Sequence, residues 1–396
     1  MKLHKHLVQA TAIALKEIFT EKKYADRVLE RTFKQNPKWG SRDRRMVAES
    51  VYDIVRYYRL YSELAGSKNN YWFMMAVWLV LHDYELPAWQ EFVDVHPDAI
   101  KKHKAKLDAI PQIAQSYPDW LWELGAQELT APVWQNEATS MNEQARVFLR
   151  VNTLKASTDN VIASLANDNI VATPVQGVND ALVLQNRANI FKTQAFSEGW
   201  IEVQDAGSQQ IGLFVAPQAG EVIIDACAGA GGKSLQLAAL MQNKGRIISM
   251  DVEQWKLDEL KKRAKRAGVH QINTRLIEKD TIASMKNSAD KVLLDVPCSG
   301  SGVFRRNPDA KWKLSEMSLE RTKATQNQIL NEYSAMVKDG GTLVYSTCSI
   351  FPSENENQVN AFLKQHPEFK LLKDNKLLPS SGFDGFYMAM LVKSQS

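Results

Sequence analysis

Apolar positions in the first third of the chain recur at helical spacing. Residues 7–19 show it, as do residues 47–64, where Val47, Val51, Ile54, Val55, Tyr58, Leu60 and Leu64 carry the apolar positions. Residues 71–81 are apolar nearly all round, which predicts a helix at the centre of a core rather than on a surface. Ser116-Tyr117-Pro118-Asp119-Trp120-Leu121 breaks this run and opens another helix. The pattern then mixes. Strands are expected at 146–152 and 181–185, with a helix at 158–166 between them, and 199–205 leads into a helix near Ser208. From Gly220 onward strand and helix alternate. Strands are expected at 221–225, 246–251, 274–277, 291–295, 342–346 and 387–392, and helices at 233–241, 254–267, 318–337 and 356–365. The expected organisation is α/β, with an all-α domain over 1–135, a small α/β segment over 140–206, and a doubly wound, mostly parallel sheet over 207–396.

Composition narrows this little: 44% hydrophobic and 24% charged residues are ordinary for a globular chain. The formal charge of +4 permits a polyanionic partner without demanding one. Residues 22–59 hold 11 Lys/Arg against 5 Asp/Glu, including Arg42, Arg44 and Arg45 at an expected helix start. Such a run is either a solvated face or a phosphate-contacting surface. The early apolar run is broken by Gln9, Thr11, Lys16 and Glu17, so no signal peptide is expected, and no apolar window is long enough to span a bilayer. The seven His residues include no pair at helical ligand spacing, and no metal site is expected. Three sparse cysteines, Cys227, Cys298 and Cys348, argue against a disulfide framework and fit a reducing cytoplasm. Each lies close to an expected strand end.

Lys291-Val292-Leu293-Leu294-Asp295 reads as a strand buried on both faces. Pro297 cannot donate to a ladder, so the strand stops and presents Asp295 and Cys298 at the carboxyl edge of the sheet. Glu221–Asp225 runs into Ala226-Cys227-Ala228-Gly229-Ala230-Gly231-Gly232-Lys233-Ser234, a Gly-rich turn opening a helix. A phosphate-binding P-loop needs Gly where Cys227 stands. A dinucleotide fingerprint is off pattern at Ser234. A methyl-donor loop of the S-adenosylmethionine type needs only the strand, the Gly-rich turn and the helix. Asp251, 26 residues after Asp225, ends the next strand, where a carboxylate accepts from ribose hydroxyls. Asp280 follows the third strand, within reach of an adenine amino group or simply solvated. Gly340 to Ser349 feeds a strand ending in Cys348. These groups all fall at the carboxyl ends of parallel strands, so they converge on one edge. Two thiols and a carboxylate beside a nucleoside pocket fit methylation at carbon 5 of cytosine, where a thiolate adding at carbon 6 activates the ring and a base then removes the carbon 5 proton. Lys311, Arg305 and Arg306 are the nearest cations expected to assist a thiol.

The stretches Asp225–Lys233, Asp295–Val303 with Arg305–Trp312, Ser346–Ser349 with Glu354-Asn355, Val203–Gln209 and Asp384–Tyr387 together resemble the motif set of the Sun/RsmB-type RNA (cytosine-5) methyltransferases. Where the family loop carries Pro, this chain has Ala230. The resemblance implies a Rossmann-like methyltransferase domain and a NusB-like RNA-binding domain in front, the latter resting on residues 42–60 and 116–121. It implies S-adenosylmethionine as cofactor, held by Cys227, Ala228, Gly229, Ala230, Gly231, Gly232, Lys233, Asp251, Asp280 and Asp295. It implies Cys348 as nucleophile, Cys298 as the group assisting proton removal and release, and Asp295 facing the base; Lys311 joins the catalytic set from its place just past the first thiol. RNA, most of all small-subunit ribosomal RNA, is the implied partner, and a cytoplasmic monomer is expected. A transfer-RNA methyltransferase and a catalytically silent ribosome-assembly factor are the alternative readings.

Overall fold

A computed structural model describes residues 3–395. The chain forms two compact units, Met1–Glu143 with Phe304–Glu316, and Gln144–Val303 with Met317–Ser396. Residues 304–316, expected by pattern in the last domain, therefore cluster with the first unit.

The first unit is helical. Tyr71–Leu81 is its axis: Met74, Met75, Ala76, Val77 and Leu79 are all fully buried, as an all-round apolar helix requires. Lys5–Phe19 and Ser41–Arg56 pack on it through Leu7, Val8, Leu15, Val47, Val51 and Ile54. The single helix expected over 47–64 is two helices, broken at Tyr57 and resuming as Tyr58–Leu64. Ser116 explains how the second one starts. Its hydroxyl accepts from the backbone N–H of Arg59 at 2.8 Å and of Leu60 at 3.4 Å, satisfying donors that a new helix leaves orphaned. The Ser116–Leu121 stretch is thus a cap for a distant helix as well as the start of Asp119–Leu129.

The second unit holds two sheets. The smaller is antiparallel, from β1 (Phe148–Val151), β2 (Ala172–Pro174), β3 (Ala181–Leu184) and β4 (Ile201–Val203), in the order β2-β3-β1-β4. Thr158–Asn167 covers it through Val161 and Leu165. The larger sheet contains β5 (Val222–Asp225), β6 (Arg246–Asp251), β7 (Ile272–Leu276), β8 (Ala289–Asp295), β9 (Val337–Thr347), β10 (Phe369–Leu377) and β11 (Phe386–Lys393), in the order β10-β11-β9-β8-β5-β6-β7. Strands β5 to β9 run parallel, and β11 pairs antiparallel with both β9 and β10, so it alone runs against the others. The last strand expected in the parallel pattern thus lies between β9 and the edge strand β10 and runs in the opposite direction. Strand β8 shows why an unbroken apolar run belongs here. Val292 and Leu294 face one core with Leu343 and Tyr345, and Leu293 faces the other with Ile223 and Val344. Each such side chain contributes about 1.5–3 kcal/mol by burial.

Among the described residues no helix is long and apolar enough to cross a membrane.

Candidate active site

The parallel strands bring their carboxyl ends to one edge, as the sequence requires. Asp225 ends β5, Asp251 ends β6, Asp295 ends β8, and Cys348 follows β9. Because β8 and β9 are adjacent and in register, Asp295 lies opposite Ser346. Ser346 Oγ donates to Asp295 Oδ1 at 3.0 Å, and Lys233 Nζ donates to Asp295 Oδ2 at 2.5 Å. Just beyond, the sulfurs of Cys298 and Cys348 approach to 3.1 Å, both as free thiols.

The two loops that carry the thiols are fastened to each other. Gly302 N–H donates to the Cys348 carbonyl at 2.9 Å, and the hydroxyls of Ser301 and Ser349 meet at 2.9 Å. Gly302 in turn packs on Gly385: a Cβ on Gly302 would stand 2.3 Å from the Gly385 carbonyl oxygen. The backbone pair Gly385 N–H to Gly302 O, at 2.8 Å, needs that bare approach. Asp205 ties in the stretch before β5. Its Oδ1 accepts from Gly207 N–H, capping Ala206–Val215, and from Asp384 N–H.

A cleft beside the thiols is lined by Gln204, Ser208, Asp225, Cys227, Lys233 and Asp295, with Val203, Ala228, Gly232 and Arg263 completing it. The Gly-rich turn forms one wall. Gly229 and Gly231 have positive φ, and a Cβ at Gly229 or Gly232 would meet nothing within 4 Å, so the backbone is open to a ligand. Asp251 fixes this turn by accepting from Gly229 N–H at 2.9 Å through Oδ2, while Oδ1 accepts from Glu253 N–H. Arg150, buried on β1, donates to the Gly232 carbonyl at 2.6 Å and also to Gln204. Asp280 lies exposed in the turn after β7, outside this lining.

Electrostatically the cleft is tense. Asp225 Oδ2 accepts from Ser234 Oγ at 2.6 Å, but its Oδ1 is buried without a partner. Burial, with Asp295 adding to it, raises this carboxyl to about 6. Burial also pushes the Cys227 thiol well up, and the neighbouring carboxylates Asp225, Asp295 and Asp251 reinforce it. Burial alone would lower the Lys233 ammonium, but the Asp295 charge and hydrogen bond outweigh it, and the net shift is upward. Cys298 is raised well above an ordinary thiol, first by its hydrogen bond with Cys348 and then by burial. Asp225 yields a pH prediction. An acid whose folded pKa lies above its unfolded one favours the fold fully below pH 3.8, and that contribution is lost as pH rises through about 6. Asp225→Asn is therefore expected to outlast the parent in urea at pH 7.5, with an advantage about 2 kcal/mol larger than at pH 4.5. Equal gaps at both pH values would contradict this assignment.

Lys311 is placed differently from the expectation of a cation beside a thiol. It is buried in the first unit, donates to Asn142 Oδ1 at 3.2 Å and stands 4.2 Å above the Tyr117 ring. Burial, then the Arg56 charge, lowers its amine well below the usual range. The cation paired with the site's carboxylate is Lys233. The helix Gln254–Ala267 has most of its basic side chains engaged by carboxylates: Lys256 with Glu253, Lys261 with Asp258, Lys262 with Glu259, and Arg263 and Arg266 with Glu202. Gln204 and Ser208 in the cleft lie inside the Val203–Gln209 motif, whereas Arg263 carries no local sequence signal. Among the described residues no group of three or more His, Cys, Asp or Glu is arranged to hold a metal.

Comparison with known proteins agrees with this architecture. Residues 212–392 match the family model described as 16S rRNA methyltransferase RsmB/F, and residues 117–191 match the ferredoxin-like domain of RsmF/B-like methyltransferases. The chain is 37% identical over 260 residues to the probable ribosomal RNA small subunit methyltransferase B of Synechocystis, covering 64% of this chain and 58% of that one. It is 34% identical to ribosomal RNA small subunit methyltransferase B of Vibrio cholerae, covering 70% and 65%. The matches thus span less than two thirds of these curated relatives. Among solved structures, the crystal structure of PH0851 superposes with a TM-score of 0.82 at 28% identity, covering 99% of this chain and all of that one. A methyltransferase homolog protein from Pyrococcus horikoshii does so at 0.64 and 26%, covering 73% and 99%.

Proposed function

We propose, for a chain that belongs to the RsmB/F methyltransferase family, that it methylates carbon 5 of a cytosine in RNA, most of all in small-subunit ribosomal RNA. The observation that carries this reading is the 3.1 Å approach of two free thiols beside the Lys233–Asp295 pair, at the edge of the cleft. The residues present fit S-adenosylmethionine. Asp225 Oδ1, buried and unpartnered in the lining, suits an ammonium donor, and the open backbone at Gly229 and Gly232 suits close approach of the rest. Cys227, Ala228, Gly229, Ala230, Gly231, Gly232 and Lys233 would form that wall, Asp251 would meet the ribose, and Asp280 would meet the adenine edge. When bound, that cofactor supplies an electrophilic methyl group.

Cys348 Sγ adds to carbon 6 of the ring, forming a carbon–sulfur bond and moving the double-bond electrons toward carbon 5. Asp295, held by Lys233 and Ser346, faces the base and supports that shift. Carbon 5 takes the methyl group. The carbon 5 proton then leaves with help from Cys298, the double bond returns, and the carbon–sulfur bond breaks. The target base has to leave its stack to be reached. The first unit is assigned to RNA binding as a NusB-like module, and the setting to a cytoplasm in which thiols stay reduced.

The test is transfer of a labelled methyl group to unmodified small-subunit ribosomal RNA and, separately, to unmodified transfer RNA. Label in 5-methylcytosine of the ribosomal RNA is expected. Label only in transfer RNA would move the substrate, and no label in either would favour an assembly factor that does not use its site.

A further inference from the structure

Glu354, which follows the second thiol by six residues, takes no part in the chemistry described so far. It is fully buried, and it is saturated by donors from three separate segments. Its Oε1 accepts from Ser299 N–H at 2.7 Å and from Gln326 Nε2 at 3.0 Å. Its Oε2 accepts from the hydroxyls of Ser299 and Ser349, both at 2.5 Å, and its backbone carbonyl accepts from Tyr345 Oη at 2.6 Å. Ser299 follows Cys298 and Ser349 follows Cys348, so one carboxylate grips the residue after each thiol. Gln326 also donates to the Pro297 carbonyl at 2.9 Å, bracing the other side of Cys298.

A carboxylate buried at this depth is costly unless fully hydrogen-bonded, and removing the donors it organises leaves polar groups stranded. Neutral residues could join two loops. What a carboxylate adds is a fixed negative charge beside two sulfurs that touch.

We infer that Glu354 is a positioning residue that divides the labour between the two thiols: it clasps both loops and sets its charge on the Cys298 side, leaving Cys348 to attack. This deepens the reading above and rests on it for the identity of the attacking thiol. The titratable and charged groups around the pair are Lys233, Asp295, Asp225, Cys227, Tyr345 and Glu354. Among the causes that raise Cys298, Glu354 follows the Cys348 hydrogen bond, burial and the Cys348 charge. Cys348 is among the groups that hold the Lys233 ammonium against burial. Glu354 reaches Ser299 through both carboxylate oxygens and Ser349 through one, so the two sulfurs are inequivalent although they touch.

Labelling by iodoacetamide at neutral pH, on the full chain without RNA or methyl donor, tests this. The label is quantified at each cysteine by peptide mass spectrometry. In the parent, Cys348 is expected to react faster than Cys298. Glu354→Gln keeps size and removes charge, and it is expected to narrow the ratio of the two rates about tenfold, the effect of one pKa unit. A purely structural role would expose or bury both thiols together and leave the ratio unmoved. An unchanged ratio in a variant with the parent's melting temperature would overturn the inference. Should Glu354→Gln not fold, Glu354→Asp withdraws the charge by one methylene and is expected to narrow the ratio by a smaller factor, the parental ratio there being the contrary result. Because no RNA is present, failure here is separable from failure of the methyl-transfer reading.

Discussion

Cys348→Ala is expected to lose methyl transfer by about 10⁴-fold or more, with the fold and methyl-donor binding retained. The size follows from what the thiol does. Carbon 5 of cytosine takes a methyl group only after a nucleophile has loaded the ring at carbon 6, and no hydroxyl near Cys348 approaches a thiolate as a nucleophile. Ser349 donates to Glu354, and Ser301 is held against Ser349 at 2.9 Å. Initial rates of labelled methyl incorporation, with isothermal titration of the methyl donor as the control, check this. A loss of only a few fold would mean that the sulfur does not bond to the base.

Cys298→Ala is expected to fail at the opposite end of the cycle. Addition and methylation proceed, but the carbon 5 proton has lost its assistant, so RNA stays attached. Turnover should fall by about 10²–10⁴-fold, the range for removing an acid–base group. The protein should run as a retarded RNA-bearing band in a denaturing gel. The two variants thus give opposite signatures, no adduct and trapped adduct, although their sulfurs are 3.1 Å apart in the parent. Normal turnover by Cys298→Ala without a band would reverse the assignment of roles.

Much of the site's edge is legible in the chain's own pattern. The unbroken apolar run ahead of Asp295 demands a strand covered on both faces, and it stands at the centre of the sheet between β9 and β5. The alternation after Gly220 then obliges Asp225, Asp251, Asp295 and Cys348 to share one edge. Strand β10 escapes such a reading because most of its residues, Lys370 to Asn375, are exposed on an edge strand, so no period-two apolar signal exists. The break at Tyr57 escapes it because the donors freed there are satisfied by Ser116, which is far away in sequence. Lys311 departs from expectation for a related reason: proximity in sequence to Cys298 says nothing about which unit a segment joins, and residues 304–316 join the first. Glu354 shows the limit most clearly. A buried acid looks like any loop acid in a sequence, and only the donors converging from Ser299, Gln326 and Ser349 give it a role.

The most direct measurement is peptide mapping of the RNA-bearing protein that Cys298→Ala is expected to accumulate. After nuclease and protease digestion, the added nucleotide should sit on the peptide containing Cys348 and carry the transferred methyl group. A nucleotide found on Cys227, or no modified peptide at all, would contradict the account.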